Sequence, residues 1–179
     1  MKKIGIFCGK SSVKTTEVTK KILDAFGDIK ADIVSIEDAW QKEFESYDYL
    51  IVGTSTWFDG ELPDYWDEMI PEINTLNLKD KKVAIFGLGD QVDYPDNFVD
   101  GIGILAEAFE SAGAILVGPT STEGYNFNRS RAVIRGQFAG LVLDIENQQE
   151  KTDQRIKDWV TTLKNEFQVK EEIPTDDIP

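Results

Sequence analysis

The chain has 179 residues, 41% of them hydrophobic, which suits one well-packed domain and leaves little room for a second. Thirty-three acidic residues against nineteen basic ones leave a net charge of −14, a surface that repels nucleic acid and anionic lipid. There is no histidine and a single cysteine, Cys8, which excludes a Ser-His-Asp triad, the usual zinc sites and an internal disulfide.

Lys2 to Cys8 reads as a buried strand through Ile4, Ile6 and Phe7, with a turn at Gly9. The basic start runs directly into this strand with no small-residue cleavage site, so no signal peptide is expected. With no apolar run near the ~20 residues of a membrane span and a lone cysteine, a cytoplasmic location without membrane insertion is expected. Val18, Ile22 and Phe26 recur at intervals of four and predict a helix over Thr15 to Phe26. Ala31 to Ile36 is a short strand, and Tyr49 to Thr54 an unbroken apolar one of the kind covered on both faces. A helix from about Asp64 to Ile73 follows, then a strand over Lys82 to Gly87.

Phe98, Ile102, Leu105 and Phe109 mark another helix, with Gly113 just beyond its end. Ile115 to Gly118 is a strand that Phe138 to Leu143 is expected to continue, after a polar, glycine-containing insertion from Pro119 to Gln137. Thr152 is placed to cap a last helix carrying Ile156, Val160, Leu163 and Phe167. Residues 1–170 are expected to form one domain, and the acidic, proline-containing tail from Glu171 to Pro179 to fray. Five strands alternating with helices argue a doubly wound parallel α/β sheet with helices on both faces. Ligands of such sheets bind beyond the carboxyl ends of the strands, here the loops Gly9–Lys14, Ser55–Glu61 and Gly87–Asn97.

Gly9-Lys10-Ser11 imitates the end of a nucleotide-triphosphate loop, but the glycine that motif needs five residues earlier is Ile4. What remains is a hydroxyl-rich turn opening onto a helix, suited to a phosphate monoester or simply a capped helix. Trp57 on the second loop and Tyr94 on the third are each unremarkable alone. Together they suggest a slot for a flat aromatic ring.

Several motifs in order, Thr56-Trp57 with Gly60-Glu61, Gly87 with Gly89-Asp90-Gln91 and Tyr94, Ser121 to Tyr125, and Leu143-Asp144 to Asn147-Gln148, resemble the long-chain flavodoxins over Lys2 to about Phe167. The resemblance implies a flavodoxin-like five-stranded sheet in the order 2-1-3-4-5, and one non-covalent FMN. It implies a phosphate grip around Lys10, Ser11, Ser12, Val13, Lys14 and Thr15. Trp57, beside Phe58, and Tyr94 would cover the two faces of the flavin ring. Gly87, Leu88, Gly89 and Asp90, with Asn97 closing the loop, would frame its pyrimidine edge, and Ser55 or Thr56 and Glu146 would flank the ribityl chain. Lys10 and Val13 depart from the family pattern, which favours a hydroxyl and a glycine there. A positive φ at Val13 would be strained, and the two lysines are candidates to pair with the phosphate.

The flavin would supply the electron chemistry and the protein would tune it. Gly60 would let the 59–60 peptide turn toward N5–H of the one-electron-reduced ring. Asp59, Glu61, Asp64, Asp67, Glu68 and Glu72, with Asp90, Asp93, Asp96 and Asp100, would disfavour further negative charge on the ring. One carboxylate ~10 Å away costs about 0.4 kcal/mol in water-like dielectric, or ~20 mV, so several reach roughly 100 mV. The same rim would steer the basic faces of redox enzymes, such as a reductase of the ferredoxin/flavodoxin-NADP kind, toward a monomeric carrier. The competing readings are an FMN-dependent quinone or flavin reductase, which Trp57 and Tyr94 would obstruct, and a related module with weakened FMN binding. A receiver-like domain lacks the acids it needs after the first strand.

Overall fold

Five apolar runs build the centre of the molecule in a computed structural model that describes residues 3–170. The strands are β1 (Ile4–Cys8), β2 (Ala31–Ser35), β3 (Tyr49–Ser55), β4 (Lys82–Leu88), β5 (Ile115–Val117), β6 (Val133–Ile134) within the insertion, β7 (Gln137–Phe138) at its end and β8 (Leu141–Leu143) after it. The helices are α1 (Val13–Ala25), α2 (Gln41–Ser46), α3 (Asp64–Ile73), α4 (Asp100–Ser111), α5 (Ile145–Gln148) and α6 (Thr152–Glu166). The sheet order is β2-β1-β3-β4-β5, all parallel, as the resemblance implies. The expected start of β1 at Lys2 and the tail from Glu171 to Pro179 lie outside the described residues.

The fifth position is divided. β5 pairs with Lys82–Ala84 at one end of β4 and β8 with Phe86–Leu88 at the other. The expected continuation therefore holds from Leu141, while Phe138 pairs with Val133 in a small hairpin of the insertion. Phe138 is wholly buried there, and its ring meets Phe98, Tyr125 and Phe127, fastening the insertion to the start of α4.

Each sheet face carries its own core. On one, Phe7 stacks on Phe44 of α2, and Trp66 of α3 meets Phe109 of α4. On the other, Val18 and Ile22 of α1 and Phe26 just past its end share a core with Ile156, Trp159, Val160 and Leu163 of α6, near Tyr49 stacked on Phe167. At about 1.5–3 kcal/mol for each large side chain buried, these two layers dominate the folding energy. α2 is not foreseen by periodicity because Phe44 is its single core residue. Thr152 begins α6 without capping it, and its buried hydroxyl has no partner among the described residues.

Candidate functional site

β1, β3 and β4 lie side by side, so the three loops at their carboxyl ends are neighbours. Gly9 starts the first. A Cβ there would stand 2.3 Å from the Tyr65 ring, so only glycine lets α3 close against this turn. Ser12 caps α1, its hydroxyl accepting from the Thr15 N–H at 3.4 Å and donating to the Thr15 hydroxyl at 2.9 Å. Val13 is the first helical residue, 71% exposed, and is not among the positive-φ residues. The anticipated strain at Val13 is absent because the helix begins at Val13 itself, two residues before the expected Thr15.

Both lysines are ion-paired on the surface. Lys10 Nζ pairs with Asp38 at 2.9 Å, which raises its pKa, and Lys14 pairs with Glu146 at the start of α5. The Glu37 carboxylate accepts from Lys10 N–H at 3.0 and 3.1 Å and from Ser11 N–H at 3.3 Å, and the Ser35 hydroxyl donates to it at 2.7 Å. Burial alone would raise the Glu37 carboxyl, but the bonds from Ser35, Lys10 and Ser11 hold it below the ordinary glutamate range. The backbone N–H groups of Ser12, Val13 and Lys14 have no acceptor among the described residues.

The second loop is a tight turn in which Trp57 and Glu61 exchange backbone hydrogen bonds, both 2.8 Å. Phe58 has φ 40° and Gly60 φ 93°. Glycine carries the second at little cost, whereas Phe58 pays about 1–2 kcal/mol for a left-handed backbone. Asn97 Nδ2 donates to the Asp59 carbonyl at 3.0 Å, so the 59–60 peptide expected to turn freely is tied to the third loop. The Thr56 hydroxyl accepts from Gly101 N–H at 3.0 Å and is committed to the start of α4. The Ser55 and Tyr65 hydroxyls lie together, buried, and neither makes a hydrogen bond of normal geometry among the described residues. Burial first, then the Glu37 charge, pushes the Tyr65 phenol up to about 12.

In the third loop Gly87 and Leu88 end β4, and Gly89 N–H bonds to the Leu143 carbonyl at 3.1 Å. Asp90 Oδ1 accepts from the N–H groups of Val92 and Asp93, both 3.0 Å, and from Asn147 Nδ2 at 2.8 Å. Burial opposes ionisation of Asp90, but bonds from Asp93, Asn147 and Val92 outweigh it and lower its pKa. The Asp90 N–H itself has no acceptor among the described residues. Trp57, Phe58 and Tyr94 are 38%, 68% and 48% exposed, apolar surface displayed beside a rim of carboxylates.

Asp100 does not belong to that rim. It is 5% exposed and accepts from Arg131 N–H at 2.7 Å, while the outer acids Asp59, Glu61, Asp64, Asp67, Glu68, Glu72, Asp93 and Asp96 face solvent. Two organising residues have no role assigned from sequence, although Asp144 stands in one of the motifs. Wholly buried Asp144 accepts from Gln91 N–H at 3.1 Å, Gln91 Nε2 at 2.7 Å and Asn147 N–H at 3.1 Å, joining the third loop to α5. Glu37 is the other. The 2-1-3 order puts the end of β2 beside Gly9, a signal that this fourth loop shares the site.

The sequence model of the flavodoxin family matches residues 9–159. The chain belongs to the flavodoxin family. It is 46% identical to the flavodoxin of Nostoc sp. over 169 residues, covering 93% of this chain and 98% of that one. The flavodoxin of Synechococcus elongatus is 44% identical over 168 residues, covering 93% and 99%. Among solved structures, Fusobacterium nucleatum flavodoxin bound to flavin mononucleotide superposes with a TM-score of 0.89 at 32% identity, covering 93% and 99% of the two chains.

Proposed function

We propose that this flavodoxin is a low-potential one-electron carrier that holds FMN non-covalently at these three loops. One observation carries the reading: backbone donors without acceptors at the start of α1 share one end of the sheet with exposed Trp57 and Tyr94. That donor set fits a phosphate ester, and the aromatic pair fits a flat ring. FMN, when bound, supplies reversible one-electron chemistry.

The phosphate is held by the N–H groups of Ser12, Val13 and Lys14 with the hydroxyls of Ser11 and Thr15, the Ser12 hydroxyl proton being given to Thr15. Because Lys10 and Lys14 are engaged elsewhere, the helix dipole and neutral donors do this work without a free cation. Ser55, whose hydroxyl is unspent, serves the ribityl chain in preference to Thr56, and the Lys14–Glu146 pair closes that side. Trp57 and Tyr94 sandwich the ring, and the Asp90 N–H meets its pyrimidine edge. Turning the 59–60 peptide toward the ring requires Asn97 to release the Asp59 carbonyl.

The exposed acids surround this apolar edge and favour partners with basic faces, met by a monomer in the cytoplasm. Among the described residues no helix is long and apolar enough to cross a membrane. The deciding experiment adds FMN to the purified protein and titrates with reductant while the visible spectrum is recorded. Two resolved one-electron steps support the carrier. Failure to retain FMN sinks it, and rapid turnover of NAD(P)H with a quinone transfers the case to the reductase reading.

A further inference from the structure

Glu37 is the one acidic side chain bonded directly to the backbone of the first loop among the described residues. It reaches Lys10 and Ser11 across 27 and 26 positions of sequence, from the turn that follows β2. Ser35 braces the carboxylate from the end of β2, and Asp38 holds the Lys10 side chain from the next position. One short segment thus grips residue 10 through both its backbone and its side chain.

We propose that Glu37 is a positioning residue for the phosphate grip; the inference rests on the FMN reading above. Its carboxylate satisfies the N–H groups of Lys10 and Ser11 and fixes the turn, so the next three are left in register for the phosphate. The donors of one loop are divided between an internal anion and an external one. The arrangement has a cost of opposite sign, because the carboxylate repels a phosphate dianion beside it. Whether geometry or repulsion prevails decides the role, and two variants separate them. Glu37→Gln removes the charge and keeps an acceptor oxygen. Glu37→Ala removes both.

The test compares dissociation constants for FMN and for riboflavin, which lacks the phosphate, in native protein and both variants. Glu37→Ala should weaken FMN by about tenfold or more and change riboflavin by less than about twofold. Glu37→Gln should restore FMN binding to near native strength. Glu37→Ala binding FMN as tightly as native, or losing FMN and riboflavin in equal measure, overturns the proposal. An independent measurement needs no flavin: amide proton resonances of Lys10 and Ser11 should move upfield in Glu37→Ala and much less in Glu37→Gln. Unchanged resonances in Glu37→Ala overturn the proposal as well. Native protein that takes up no FMN instead defeats the carrier reading, while these two amide signals still report whether Glu37 holds the loop.

Discussion

The side-chain amide of Asn97 donates to the carbonyl of Asp59 at 3.0 Å, joining the loop after β4 to the turn after β3. The bond locks a turn that already carries two left-handed residues, Phe58 and Gly60. Asn97→Ala should remove this tether at a cost of about 1 kcal/mol or less to global stability. The amides of Gly60 and Glu61 should then exchange with solvent several-fold faster, as followed by NMR. Exchange at the native rate would show that the turn holds itself.

Asp144 offers the sharpest stability test. Asp144→Ala strands the buried Gln91 donors and frees the part-buried Asn147 N–H, which predicts a loss of about 2–4 kcal/mol in urea unfolding of the FMN-free protein. A loss under about 1 kcal/mol would mean that water replaces the carboxylate.

Trp57→Ala and Tyr94→Ala should each weaken FMN roughly tenfold to a hundredfold, by analogy with ring stacking worth about 1–3 kcal/mol. Both side chains are substantially exposed, so the unfolding midpoint of the FMN-free protein should hardly move. Fluorescence titration measures the first effect and thermal melting the second. Equal binding by native and variant protein would remove these residues from the ring site.

Stability should fall at both ends of the pH scale, for opposite reasons. Glu37 and Asp90 have lowered pKa values in the fold, so their contribution is present above about pH 4 and is lost as pH drops through the folded values. Tyr65 and Tyr125 are pushed up to about 12, mainly by burial. The unfolded chain releases those protons near pH 10, so stability declines between about 10 and 12. A tyrosinate absorbance titration should show these two phenols ionising late. All tyrosines titrating together at the ordinary value would refute the enclosure of both rings.

Charge steering can be read by stopped flow. With a redox enzyme that presents a basic face, the association rate should drop about tenfold or more between roughly 10 and 300 mM salt. A rate indifferent to salt would leave the acidic rim with a role in solubility alone.

The central strands β1, β3 and β4 were legible because each is an apolar run, and α3 because Trp66 and Ile73 lie on one helical face, whereas the β6–β7 hairpin was hidden in a polar stretch. The three loops could be placed at one end of the sheet before any contact was known. Their side-chain partners could not, since Lys10 meets Asp38 across 28 positions and Lys14 meets Glu146 across 132. Such pairs depend on which strands lie together, a property of the assembled sheet. Lys10 and Val13 stood out as departures for two different reasons, one a tertiary partner and the other a local helix boundary. A lysine reads as a phosphate ligand until Asp38 claims it, and a valine reads as strained until the helix is seen to begin there.

The division of the fifth strand bears on how copies of this protein meet one another. β5 presents three residues at that border before the chain leaves for the insertion, and β8 presents three more only after it returns. A template so brief and interrupted gives another chain few backbone groups in a row to pair with. At the opposite border β2 is five residues long and carries Asp32. A sheet bounded in this way resists stacking edge to edge when crowded, which keeps the loop end of the molecule open to visitors that arrive briefly and depart.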